Sequence, residues 1–506
     1  MVNPDKSSLP GRCASLQREV LQSRALIVAA NRGPVTLQPG PEGEMIYQHI
    51  GGGLVTALMG LAHQVDMTWI AVAGSDLDRE IRHVKVPVGE DNKQIQLDLL
   101  TPDEEIYNSY YNTIANPLLW FIQHSMWSFI SSPTIDAATW EAWNRGYVEM
   151  NLLFAEEIAR QIQKDPRQTV VMFQDYQLYL APTFLQLILH RPPRVTMTYF
   201  VHIPWPGTED WGFLPPPMRE AILKGLCSVD LLGFQTRADA LNFLRTVESY
   251  LPGARVTYHK GKVTYHKHVT HVRDFPISID VNALRELAGS DEVAVHREQL
   301  REYTAGGQVI VRVDRSEPSK NIVRGFQGYS AMLEKYPDMR GKVKFLALLV
   351  PSRMAVAEYQ TYLDELMAAA GRINAAYGTG DWEPVRVLLG EDYSRAVAAL
   401  QIYDVLLVNS IADGMNLVAK EGPIVNECNG VLVLSERTGA AQQLGEGAII
   451  ISPVDIHDTA EGLHQALVMS ESERQRRAAI LKQSIEKEDI ETWLCWQLGE
   501  IQKLKL

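Results

Sequence analysis

Val309-Ile-Val-Arg-Val-Asp-Arg-Ser-Glu-Pro-Ser-Lys-Asn321 decides the reading of this chain: an apolar run, Val309 to Val313, is followed at once by Arg315, Pro318 and Lys320. The run reads as a buried strand, and Ser316, Pro318 and Ser319 read as helix-start residues, so the stretch is a strand turning into a helix. Two cations then stand beside a helix N-terminus, whose unpaired N–H groups and partial positive charge suit a diphosphate. About a hundred residues on, Asp413-Gly-Met-Asn-Leu-Val-Ala-Lys-Glu421 places one carboxylate before a Gly-Met-Asn turn and another two helical turns further. An ionised carboxylate can only accept hydrogen bonds, so these suit sugar hydroxyls better than phosphate.

Working outward, short apolar runs alternate with helical patterns almost throughout, the signature of parallel sheets covered by helices. A first series comprises Ala25 to Ala30, Met67 to Val72, Thr169 to Phe173, Val195 to Val201 and Leu231 to Phe234. A second comprises Val309 to Val313, Val343 to Val350, Val385 to Leu389, Val405 to Val408, Gly430 to Leu434 and Ala448 to Ile451. Each series forms one sheet in this reading, with the break near Phe275-Pro-Ile-Ser-Ile-Asp280. The run from Thr459 to Leu506 is helical in period and carries Trp493 and Trp496. Ligands of open parallel sheets sit beyond the C-terminal strand ends, where Arg32, Asp175, His202 and Arg315 all fall.

Composition excludes several classes. A chain of 506 residues exceeds one hydrophobic core, so two domains are expected. The net charge of -13 argues against a broad nucleic-acid surface, so an anionic substrate must meet a local basic pocket. The longest apolar runs, such as Phe345 to Val350, are far short of the ~20 residues of a membrane helix. Met1 to Arg24 is polar and lacks the apolar core of a signal peptide. Cys13, Cys227, Cys428 and Cys495 are scattered without a Cys-x-x-Cys pair, which reads as a reduced, cytoplasmic protein without structural zinc. Asp76-Leu-Asp78 reads as solvated charge. Tyr258 to His266 reads as a hairpin turning at Lys260-Gly261, with His266 and His268 on one strand face.

An ordered set of segments resembles the glycosyltransferase family that contains trehalose-6-phosphate synthase. It runs from Ala29-Ala-Asn-Arg-Gly33, Gly51-Gly-Gly-Leu54 and Tyr111-Asn-Thr-Ile-Ala-Asn-Pro-Leu-Leu-Trp120 through Gln174-Asp-Tyr176, Phe200-Val-His-Ile-Pro-Trp-Pro206 and Asp230-Leu-Leu-Gly-Phe-Gln-Thr236. Arg315/Lys320, Pro351-Ser-Arg353 and Asp413 to Glu421 complete it, so nearly the whole chain is covered in the family's order. The resemblance implies an α/β protein of GT-B type, with two facing Rossmann-like domains. Residues 1–280 would bind acceptor, 281–485 the nucleotide sugar, and the helical segment 486–506 would cross back onto the first domain.

By the same resemblance, Arg315 and Lys320 clamp the donor diphosphate, Asp413 meets the transferred glucose, and Glu421 meets the ribose. Gly52, Gly53 and the Gly414, Met415, Asn416 and Leu417 backbone add donor contacts, with the backbone near Leu389 at the base. Arg32, Tyr111, Trp120 and Arg353 form the acceptor-phosphate pocket; Asp175 meets an acceptor hydroxyl and His202 the donor glucose. The implied reaction is transfer from UDP-, GDP- or ADP-glucose to glucose 6-phosphate with retention, the leaving phosphate taking the acceptor proton. It calls for no cofactor, metal, nucleic acid or membrane, and a homo-oligomer is compatible with it. The chain also departs from the family pattern. The usual Glu-Arg-Leu-Asp-Tyr-Ser-Lys-Gly is Asp314-Arg-Ser-Glu-Pro-Ser-Lys-Asn321 here, Ala412 replaces an Arg, Gln174 a His, and Gly422-Pro423 a Tyr-Val. Such departures keep alternatives open: glucosylglycerol-phosphate synthesis, cyclitol coupling of the validoxylamine-phosphate type, or a catalytically silent sugar-phosphate-binding subunit.

Overall fold

The computed structural model describes residues 24–40, 44–49, 65–88, 93–128, 133–190, 194–304 and 306–504, with isolated positions between 16 and 62. The chain divides into two units, one holding the residues up to Ile277 together with Glu491–Leu506, the other Ser278–Ile490. The division falls inside the stretch Phe275 to Asp280. The returning segment begins at 491 rather than 486, because the helix Glu471–Lys487 stays with the second unit.

The second unit is built on a six-stranded, wholly parallel sheet in the order Val385–Leu389, Val343–Pro351, Gln308–Ser316, Val405–Val408, Val431–Ser435, Ile449–Ile451. Counted along the chain this is 3-2-1-4-5-6, so strand order reverses between Gln308–Ser316 and Val405–Val408. A crevice opens beyond the carboxyl ends of the strands at such a reversal. The inner strands read clearly in sequence because both faces are covered, which makes them largely apolar runs, whereas the edge strand Val385–Leu389 carries the exposed Arg386. Their side chains pack with Phe326, Tyr329, Leu366 and Leu463 from the covering helices.

The first unit carries a ten-stranded sheet whose parallel centre includes Val195–Val201, Gln168–Gln174, Arg24–Ala29, Met67–Val72 and Lys93–Leu100. Its edges are antiparallel: His83–Val88 on one side, the Arg255–Thr257 and Lys262–Tyr265 pair on the other. Here too order reverses, between Arg24–Ala29 and Gln168–Gln174. The returning helix Ile490–Lys503 buries Trp493, Trp496, Leu498 and Ile501.

Several expectations are corrected. The helix after Lys320 starts only at Ile322, beyond a 3₁₀ turn at Pro318–Lys320 and a left-handed Asn321. The amides of Ile322 and Val323 donate to the Tyr362 hydroxyl at 2.6 and 3.4 Å, so this helix end is capped from within the protein. Asp78 is buried, not solvated; it accepts from the amides of Leu37, Gly74 and Ser75 and caps the helix Asp76–Ile81. His266 and Lys267 are left-handed turn residues before the strand His268–Asp274, so His266 and His268 share no strand face. No group of metal-ligating side chains occurs among the described residues. Cys227 and Cys428 are free thiols, whereas Cys495 is disulfide-bonded, against the expectation of four reduced cysteines. Among the described residues no helix is long and apolar enough to cross a membrane.

Candidate active site

The reversal in the second unit brings the two quoted stretches together. Lys320 follows the first strand, Asp413 follows the fourth, and Lys320 Nζ donates to Asp413 Oδ2 at 2.5 Å. Burial lowers the Lys320 pKa, but the carboxylates of Asp413, Glu317 and Asp314 outweigh it, so the ammonium is held above its ordinary value. Behind Lys320, the wholly buried Arg312 bonds Asp314 at 2.8 Å and the Lys320 carbonyl at 2.7 Å, which fixes the turn carrying the ammonium.

Asp413 also accepts from Asn416 Nδ2 at 3.1 Å. Asn416 is left-handed (φ 70°), and its own Oδ1 accepts the Ala419 amide at 3.1 Å. The Asn416 side chain therefore satisfies an amide in the first turn of the helix Val418–Val425. Glu421 lies in that helix and accepts from the Tyr393 hydroxyl at 3.1 Å. Burial pushes its carboxyl up to about 7, partly offset by that hydrogen bond. Leu389 ends the edge strand and is exposed.

Arg315 is half-exposed, its Nη2 3.2 Å from Glu317 Oε1. Arg353 Nη1 donates to the other oxygen of the same carboxylate at 2.6 Å and to the Tyr359 hydroxyl at 2.7 Å. Arg353 thus stands with Arg315 in the second unit, whereas Arg32, Tyr111, Trp120, Asp175 and His202 belong to the first.

In the first unit, Arg32 follows the strand Arg24–Ala29 and its Nη2 lies 3.5 Å from the Tyr111 hydroxyl. Neighbouring bonds hold the pair: Tyr110 donates to Asn31, Trp69 to the Arg32 carbonyl, and Tyr107 stacks on Tyr111 at 5.4 Å. Tyr111 lies on a π-helix, Ser109–Trp120, whose wider turn lets Asn116 reach the Tyr111 carbonyl at 3.0 Å and accept from Tyr176 at 2.7 Å. Insertions of this kind recur at functional sites. Trp120 takes a core position, 4% exposed and stacked on His124.

Asp175 sits at φ 66° and ψ 174°, a conformation costing a non-glycine residue about 1–3 kcal/mol. The Tyr199 hydroxyl bonds its carbonyl at 2.5 Å and the His202 amide its Oδ1 at 3.2 Å. Gln235 Oε1 accepts the Ile277 amide, which turns the Gln235 NH₂ toward His202 Nδ1 at 3.5 Å. That leaves the proton on Nε2, where it meets Gln174 Oε1 at 2.9 Å. Burial pushes the imidazole down to about 3, in keeping with a neutral ring.

Gly52 and Gly53 lie outside the described residues. Sequence reasoning missed Glu317, Tyr393 and Gln235, which touch the named residues only through the fold. A glutamate two positions after Arg315 was the one available signal.

Two α/β units in this order, with the C-terminal helix returned to the first, define a GT-B glycosyltransferase. The chain matches Glycosyltransferase family 20 over residues 24–503. It is 32% identical over 494 residues to an α,α-trehalose-phosphate synthase [UDP-forming] of Schizosaccharomyces pombe, covering 97% of this chain and 93% of that one. Among solved structures it resembles a trehalose-6-phosphate structure from E. coli bound with UDP-2-fluoro glucose (TM-score 0.81, 30% identity, 95% of this chain and 99% of that one). An α,α-trehalose-phosphate synthase (UDP-forming) from Burkholderia xenovorans in complex with glucose-6-phosphate is similar at TM-score 0.80 and 26% identity, over 95% of this chain and 100% of that one. This chain belongs to glycosyltransferase family 20.

Proposed function

We propose that the chain is an α,α-trehalose-phosphate synthase, transferring glucose from UDP-glucose to glucose 6-phosphate with retention and releasing UDP. The observation that carries this is the convergence of Lys320, Asp413 and Asn416 at one strand-order reversal, with Arg315 and Glu421 on the same two segments. Uridine as the base is supported by the UDP-forming relatives.

In this reading Arg315 and Lys320 neutralise the diphosphate as the bond from glucose C1 to the departing phosphate oxygen breaks. The acceptor hydroxyl adds to C1 on the same face and gives its proton to that phosphate oxygen, so no protein nucleophile is required. Lys320 carries three donors, so it reaches a phosphate oxygen while keeping Asp413. Asp413 accepts from glucose hydroxyls and Glu421 from the ribose. The Gly414–Leu417 backbone and the Leu389 backbone complete the donor contacts. Arg32, Tyr111 and Arg353 take the acceptor phosphate, with Trp120 supporting the helix that carries Tyr111. Asp175 takes an acceptor hydroxyl and His202 the donor glucose. Positioning and charge stabilisation then supply the acceleration. A cytoplasmic location belongs to the same proposal, because both substrates are charged and do not cross a bilayer unaided.

The test is mass spectrometry of the products formed from glucose 6-phosphate with UDP-, GDP- or ADP-glucose. A non-reducing disaccharide phosphate, formed fastest from UDP-glucose, is expected. No product with any donor, in folded protein that binds nucleotide, would overturn the reading in favour of another acceptor.

A further inference from the structure

The ends of two neighbouring parallel strands meet at one buried carboxylate. Register pairs Ser316 with Pro351, so Glu317 and Arg353, each just beyond its strand, are brought side by side. Glu317 is fully buried, and its two oxygens are divided: Oε1 faces Arg315 at 3.2 Å and Oε2 faces Arg353 at 2.6 Å. Ser319 Oγ donates to Oε1 at 3.4 Å. Arg353 adopts a left-handed backbone (φ 50°), a strained conformation that persists only where surrounding contacts hold it. One carboxylate against two guanidiniums leaves the trio with a net positive charge, so it orients the arginines without cancelling them.

We infer that Glu317 is a positioning residue shared by both substrates: it aims Arg315 at the donor diphosphate and Arg353 at the acceptor phosphate. This rests on the functional reading given above. Glutamate, where the family pattern has aspartate, supplies the added methylene with which one carboxylate spans both arginines. Without the charge, two guanidiniums, one of them buried, face each other with no carboxylate between them, and their repulsion loosens the aim of both. Loss of charge-assisted orientation at each arginine is worth about ten- to a hundredfold in binding or rate.

Steady-state kinetics on E317Q, E317D, R315A, R353A and the R315A/E317Q double variant test this, with thermal unfolding run alongside. R315A is expected to raise KM chiefly for UDP-glucose and R353A chiefly for glucose 6-phosphate, whereas E317Q raises both by about tenfold or more. In the R315A background, E317Q adds nothing further to the KM for UDP-glucose, because its effect there passes through Arg315. E317D keeps the charge with a shorter reach and retains one arginine contact, so one of the two KM values stays near wild type. Should E317Q fail to fold, E317D decides alone: wild-type KM values for both substrates would overturn the inference. Additive effects of R315A and E317Q on the donor KM would overturn it as well. A wild-type protein that turns over neither substrate defeats the functional reading instead, which keeps the two failures distinct.

Discussion

Single residues set the pH response of this site. Glu421 is pushed up to about 7 by burial, and its Tyr393 hydrogen bond pulls the other way. In its proposed role the ionised carboxylate accepts from ribose hydroxyls at both oxygens with charge-assisted bonds, and protonation turns one oxygen into a donor, so UDP-glucose affinity falls as pH drops through 7. Tyr393→Phe removes the opposing bond, so the acid limb of kcat/KM for UDP-glucose is expected to move to higher pH. A limb that stays in place would remove Glu421 from donor binding. His202, neutral down to about 3, contributes no limb in the ordinary assay range. The neighbouring Lys420 is fully buried and pushed down to about 7, chiefly by burial and against the pull of Glu488. Between 7 and the ordinary lysine value of 10.5 the unfolded chain holds this proton and the folded protein does not, so stability rises with pH across that window. Lys420→Met removes the buried charge and is expected to stabilise the protein by about 1–4 kcal/mol at pH 7. Denaturant unfolding should show the gain shrinking toward pH 10.

At the scale of elements, close approach decides which substitutions the fold tolerates. Gly225, in the helix Pro216–Leu226, lies so near the Tyr179 carbonyl that an added Cβ would stand 1.7 Å from its oxygen. Backbone cannot give way as a side-chain tip does, so Gly225→Ala should cost about 3 kcal/mol or more. Gly371, in the helix Ala357–Tyr377, meets nothing within 4 Å, and Gly371→Ala should stabilise by about 0.5–1 kcal/mol. Thermal unfolding of the pair separates a packing glycine from a merely permissive one. Elements also mark the limit of what the sequence could tell. Val405–Val408 was legible to the residue because a doubly covered parallel strand is an unbroken apolar run, and Val195–Val201 and Val385–Leu389 still read as strands although Thr196, Thr198 and Arg386 interrupt the apolar pattern. His83–Val88 and Lys93–Leu100 were missed, since edge pairing leaves one face polar and the run alternates. The π-helix at Ser109–Trp120 has no signature in apolar spacing; it follows from Asn116 reaching five residues back. Resemblance supplied the residues of the candidate site, but not Glu317 as the shared partner of Arg315 and Arg353. That contact depends on the register of two strands about thirty-five residues apart in sequence.

At the scale of the whole molecule, the chain completes its first unit only with its last residues. Glu491–Leu506 belongs to that unit, and Trp493 packs edge-on against Phe200 at 5.3 Å, on the strand leading to His202. Trp493, Leu494, Trp496, Leu498 and Ile501 are all buried, and Glu500 forms an ion pair with Arg273 at 2.7 Å. At about 1.5–3 kcal/mol for each large apolar side chain, these five contribute of order 8–15 kcal/mol as an upper bound. That equals the whole net stability of a typical domain, about 5–15 kcal/mol. A chain ending at Ile490 also leaves the Arg273 guanidinium, largely buried, without its carboxylate, a further destabilisation. The first unit of such a chain should therefore not fold. The second unit contains its sheet, its covering helices and Arg315, Lys320, Asp413 and Glu421 entire, so its own stability is not touched by the cut. Calorimetry of the truncated chain should accordingly show one unfolding transition in place of two. Titration with UDP should shift that transition to higher temperature, because a ligand that binds only the folded form stabilises it by mass action. Survival of both transitions would mean that the returning helix is dispensable to the first unit. Loss of both would mean that the second unit depends on the first for more than its own core supplies.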